Sequence, residues 1–110
     1  MQSIWSASQI KSLKTKRNIV GSVMKKNLLV HKHLIVRAES KRPIKDEEHA
    51  VEWMGELIES LKMRVFLGPY AKYCDMEGNR GLTVVAIIET SHIVMHVWDE
   101  VNPALIQLDM

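Results

Sequence analysis

Between Glu89 and Glu100 the chain reads Glu89-Thr90-Ser91-His92-Ile93-Val94-Met95-His96-Val97-Trp98-Asp99-Glu100. Two hydroxyls, two imidazoles and three carboxylates fall within these twelve positions. A hydroxyl becomes a nucleophile when a base takes its proton, and histidine titrates where such a base is most useful. The stretch directly follows Leu82 to Ile88, an apolar run that reads as a buried strand. A purely structural strand rarely carries so many reactive groups, so these residues form the candidate site. The plainer account makes Thr90 and Ser91 turn residues, His92 and His96 exposed strand positions, and Trp98 a core aromatic.

The pattern Ser-His-x-x-x-His-x-Trp-x-Glu after an apolar strand resembles the self-processing segment of prokaryotic-type S-adenosylmethionine decarboxylase proenzymes. The likeness is best over Leu82 to Glu100, weaker back to His33-Leu34, and absent from residues 1–26. It implies self-cleavage between Thr90 and Ser91, with Ser91 converted to a pyruvoyl cofactor whose carbonyl takes the substrate amine as a Schiff base. By the same likeness the Ser91 hydroxyl attacks the Thr90 carbonyl and His96 is the processing base. Thr83 supplies the processing hydroxyl where family members carry serine. Trp98 stacks on adenine, Glu100 holds the ribose hydroxyls, and Tyr70 and Tyr73 stand where family aromatics help to hold the base. No metal is implied. The implied substrate is S-adenosylmethionine, the product is the aminopropyl donor for spermidine, and the assembly is a homodimer or higher oligomer. The family's proton-returning cysteine lies beyond Met110, so the likeness also implies a domain whose C-terminal part is missing. The competing readings are a pyruvoyl-dependent ornithine or arginine decarboxylase, which Arg37 would disfavour, and a non-catalytic truncated subunit docking on a full-length partner.

One geometric demand follows from the spacing. Ser91 and His96 are five residues apart, so a straight strand turns them to opposite faces. Bringing them together requires a turn or bulge at Thr90-Ser91-His92 that swings Ser91 out of register.

The rest of the chain must position this segment. Leu28 to Ala38, rich in Leu, Val and Ile, reads as a strand. His31 and His33 share one face of it, and with no nearby cysteine or carboxylate cluster they read as ordinary strand histidines. Glu39 to Lys45 is a polar loop with Pro43. Asp46 is a fair helix N-cap, and Glu47 and Glu48 suit the positive end of the dipole. Ala50, Trp53, Met54, Leu57, Ile58 and Leu61 then recur at helical spacing and mark the face laid on a sheet. Arg64 to Leu67 reads as a short strand ended by Gly68-Pro69, and Tyr70 to Gly81 as a long polar loop holding a bystander, Cys74. Leu82 to Ile88 and Ile93 to Trp98 form an antiparallel pair turning near Thr90-Ser91. Asn102-Pro103 turns the chain into a last strand from Ala104. The expected fold is α+β in the order β-α-β-β-β, an antiparallel sheet with the helix on one face, in the family's sandwich style.

Composition narrows the class. A chain of 110 residues with 46% hydrophobic content holds at most one small domain with a modest core. The single cysteine excludes an internal disulfide and fits a reducing cytoplasm. No run of 18 apolar residues is present, so no membrane span is expected. Residues 1–26 hold six lysines and arginines and no acid, leaving nine basic against thirteen acidic residues in 27–110. The arm reads as a flexible extension ahead of a domain at 27–110. With no aromatic interleaved beyond Trp5, nucleic-acid binding is not the expected role.

Overall fold

The structure is a computed structural model, and it describes residues 32–110. The basic arm, His31 and the start of the expected first strand lie outside the described residues. The elements are β1 (Ile35–Ser40), α1 (Glu47–Ser60), β2 (Val65–Cys74), β3 (Gly81–Ile88), β4 (Ser91–Trp98) and β5 (Ala104–Asp109). The five strands form one antiparallel sheet in the order β1-β5-β4-β3-β2. This is the expected α+β sandwich of one helix on one sheet.

The helix begins where the sequence signals it. The Asp46 side chain accepts a hydrogen bond from the Glu48 N–H at 3.3 Å, satisfying one of the donors a helix start leaves unpaired. At the other end Lys62 turns left-handed at φ 58°, its N–H bonds the Glu59 carbonyl, and the Met63 N–H bonds the Ile58 carbonyl. That pair of bonds is the Schellman closure, made here without glycine. Between the caps Ala50, Trp53, Met54, Leu57 and Ile58 are buried against β2 and β3.

Period-two alternation divides the sheet into two faces. Under the helix lie Leu82, Val84, Ala86 and Ile88 of β3, Ile93, Met95 and Val97 of β4, and Ala104, Ile106 and Leu108 of β5, all buried. The opposite, open face carries His92, Val94, His96 and Trp98 of β4 and Thr83, Val85 and Ile87 of β3. Among the described residues nothing covers it, and Ile35, Leu67, Tyr70 and Ile87 are 57, 50, 59 and 46% exposed.

Four expectations change. The first strand extends through Glu39 and Ser40, because both pair with β5, at Leu105 and Ala104. Gly68-Pro69 does not end β2. The strand absorbs it with register shifts between Val65 and Leu67 and between Leu67 and Tyr70, Gly68 taking φ 91°. β2 is an edge strand, where a missing proline donor and a bulge are both tolerated. The long loop therefore shrinks to residues 75–80, and Tyr70, Tyr73 and Cys74 lie on a strand. Finally, no bulge displaces Ser91. Glu89 and Thr90 form a two-residue turn, with Ile88 paired to Ser91 and Ile87 to His92 in unbroken register. The turn is closed by Thr90 at φ 55°, so no extra residue remains to form a bulge.

Candidate active site

Thr83 and His96 are direct partners across β3 and β4, and the register brings their side chains together on the open face. The Thr83 hydroxyl and His96 Nδ1 share a hydrogen bond of 2.8 Å. That bond fixes the ring and leaves Nε2 for a second partner. Two residues on, the Trp98 ring lies 5.6 Å from the His96 ring at a tilt of 36°. Thr83, His96 and Trp98 thus form a polar-aromatic row on the open face, beside the apolar Val85, Ile87 and Val94.

Ser91 is not part of that row. It sits at the far end of the same ladder, half-buried, and its side chain belongs to the helix-side set with Ile93, Met95 and Val97. Five strand residues correspond to about 17 Å. A single chain therefore keeps Ser91 apart from His96 and Thr83 by distance and by face. What adjoins Ser91 is Thr90 in a left-handed conformation, uncommon for a β-branched residue and costing about 1–2 kcal/mol. Glu89 in the same turn is held by Arg64 through two hydrogen bonds of 3.1 Å. Those bonds keep the Glu89 carboxyl below its ordinary 4.5.

The two tyrosines part company. Tyr70 pairs with Val85 on the open face, while Tyr73, three residues later, pairs with Leu82 on the helix side. The Tyr73 hydroxyl donates to Asp99 with both carboxylate oxygens at 2.9 Å, and its N–H donates to Glu47 Oε2 at 2.8 Å. Burial first, then the Asp99 hydrogen bond and charge, push the Tyr73 phenol above 10.0. A raised value contributes stability below about pH 10 that is lost as pH climbs through the folded value. Tyrosinate absorbance should therefore show a late step above pH 10.0 that Tyr73→Phe removes. A titration unchanged by that substitution would break the Tyr73–Asp99 assignment.

Glu100 is engaged as well. Its oxygens accept from the Arg80 and Gly78 N–H groups, each at 3.1 Å, and from the Arg80 guanidinium at 3.4 Å. The backbone donors hold its carboxyl below the ordinary 4.5. In this conformation Glu100 braces the 75–80 loop, together with the 2.9 Å bond from Arg80 to Asp75. Sequence reasoning did not find this brace, nor the gathering of His33, His92 and Asp109 at the other end of the sheet. Neither leaves a local signature, because the partners are 20 to 22 and 76 residues apart.

No helix among the described residues is long and apolar enough to cross a membrane. Neither the curated proteins nor the solved structures offer a match to this chain. A family model described as S-adenosylmethionine decarboxylase matches residues 32–109, nearly the whole described domain. With that match over its sheet and helix, the chain belongs to the S-adenosylmethionine decarboxylase family, pyruvoyl-dependent decarboxylases of polyamine biosynthesis.

Proposed function

We propose that this chain cuts its own backbone between Thr90 and Ser91 and then decarboxylates S-adenosylmethionine to the aminopropyl donor for spermidine. The observation that carries the reading is the hairpin itself: Ser91 follows a left-handed Thr90 in a two-residue turn, inside a matched family domain. Strain at Thr90 raises the energy of the bond to be cut, and each 1.4 kcal/mol or so released on the way to the transition state is worth about tenfold in rate.

The Ser91 hydroxyl attacks the Thr90 carbonyl, exchanging the amide for an ester and freeing the Ser91 nitrogen. A base takes the Ser91 alpha proton, the ester oxygen leaves with the Thr90 carboxylate, and dehydroalanine remains. Water adds to its imine tautomer and ammonia departs, leaving a pyruvoyl group at position 91. Ser91 fits this role in being half-buried at a turn rather than locked in mid-sheet. When formed, the group supplies an electron sink for the pair released as CO2 leaves.

His96, oriented by Thr83, is the proposed processing base. Its own Ser91 is about 17 Å along the strand. The pair therefore acts on the Ser91 of a second copy, whose hairpin end reaches over this open face so that its helix-side Ser91 turns toward His96. The uncovered apolar side chains Ile35, Leu67, Tyr70 and Ile87 favour such a homodimer. Trp98, beside His96, stacks on the adenine at about 1 kcal/mol. Tyr70 shares its face and can line the same pocket; Tyr73 serves by holding Asp99 next to Trp98. Glu100 accepts from the ribose hydroxyls by exchanging its loop donors for them.

Intact mass of the purified 110-residue chain tests the proposal. The expected result is two pieces of 90 and 20 residues, the smaller gaining the mass of the decarboxylated substrate less one oxygen when borohydride reduces the Schiff base formed with S-adenosylmethionine. A single uncut chain with an unmodified Ser91 would favour instead a non-catalytic subunit, the reading that the distance between Ser91 and His96 also supports.

A further inference from the structure

β5 runs between β1 and β4, and Asp109 on it pairs with Ile35 on one side and Val94 on the other. His33 stands two residues before Ile35 and His92 two before Val94. Period two puts both imidazoles on the face that carries the Asp109 carboxylate, one from each neighbouring strand direction. The ligand atoms of the three residues lie within 4.8 Å of one another. His33 Nε2 and Asp109 Oδ1 are hydrogen-bonded. The His33 and His92 rings meet edge to face with centroids 6.4 Å apart. All three are reachable from solvent, His33 and His92 exposed and Asp109 half-buried.

We propose that His33, His92 and Asp109 form a binding site for a divalent transition-metal ion of the Zn2+ type. Two imidazoles and one carboxylate are the mixed nitrogen and oxygen set that such ions take, with the fourth position left to water. Mg2+ and Ca2+ favour oxygen cages and are not matched by it. Ligand bonds of about 2.0–2.1 Å at tetrahedral angles place donor atoms about 3.3 Å apart. Small side-chain rotations bring the three donor atoms to that spacing, and exposed imidazoles make these at little cost. Bound there, one ion ties the segment entering β1 to β4 across β5 and fixes the residue that follows Ser91. The site stands on the sheet register alone and holds whether or not the chain cuts itself.

Calorimetric titration of the chelator-stripped full chain with Zn2+ tests it, with visible absorption of the Co2+ form as a second readout. The expected result is one ion per chain and the intense bands of a tetrahedral Co2+ site. His33→Ala, His92→Ala and Asp109→Asn should each weaken binding by about tenfold or more. His49→Ala, on α1, should leave it unchanged. Asp109→Asn keeps the shape of the side chain, and circular dichroism of each variant separates a lost ligand from a lost fold. No binding to the unsubstituted chain would overturn the proposal. So would binding that survives all three folded variants, or binding that His31→Ala abolishes and His92→Ala does not.

Discussion

Co-expressed with a Ser91→Ala chain, a His96→Ala chain should be cut after Thr90, although neither is cut when made alone. The expectation follows from the ladder. Ser91 pairs with Ile88 at the turn, and His96 pairs with Thr83 toward the other end. Within one chain the proposed base and the proposed nucleophile lie on opposite faces about 17 Å apart. In a two-fold pair each hairpin can receive the His96 of its neighbour. The His96→Ala chain keeps its own Ser91 and receives an intact imidazole from the Ser91→Ala partner. With equal expression and random pairing, about half of the His96→Ala chains should appear as cut pieces by mass, and none of the Ser91→Ala chains. His96→Ala alone should process about a hundred- to ten-thousandfold more slowly, the usual contribution of a general base. Cleavage of the isolated His96→Ala chain at the ordinary rate would remove His96 from the reaction. Cleavage of the unsubstituted chain without rescue in the mixture would return the base to the same chain and require the hairpin to unzip.

Gly81→Ala should abolish folding. Gly81 opens β3 at φ 154°, and a Cβ there would lie 1.7 Å from the Val97 carbonyl oxygen and 2.7 Å from its carbon. Both are backbone atoms of the central strand β4, so relief means prying the two strands apart. The cost should exceed the roughly 4 kcal/mol that marks an exceptional single substitution, a large part of the roughly 5–15 kcal/mol that stabilises a domain. Because Thr83 is two residues away, the Thr83–His96 bond should be lost with the ladder. Gly55→Ala is the matched contrast. Its Cβ meets nothing within 4 Å in the interior of α1, and the change should stabilise by about 0.5–1 kcal/mol. Denaturant unfolding reads both. A Gly81→Ala chain with an ordinary midpoint would mean that β3 and β4 do not approach as described.

Which parts of this were legible in the chain depends on the range over which each signal acts. The helix was, because its cap at Asp46 and its apolar stripe from Ala50 to Ile58 are local features. So was the β3–β4 hairpin, since an apolar run and a two-residue turn lie next to each other. β2 was not. Gly68-Pro69 ordinarily stops a strand, and only an unpaired outer edge lets the chain carry it as a bulge. That error hid a second one, since on a strand Tyr70 and Tyr73 face opposite ways. The bulge expected at Ser91 came from requiring His96 to reach it within one chain. The turn instead meets its geometry with a left-handed Thr90. The loop brace of Glu100 and the grouping of His33 with Asp109 depend on register between distant strands, which no window along the chain contains.

The strand order carries a consequence for a chain broken after Thr90. The short product would hold β4 and β5, and these are not at the margin: β3 flanks them on one side and β1 on the other. The nick would leave a wedge seated in the middle of its own parent, gripped by backbone ladders along both flanks. The products would travel as one particle until denatured. Once melted apart they would have to find each other by diffusion, so dilution would weaken a molecule that had folded as a single thread.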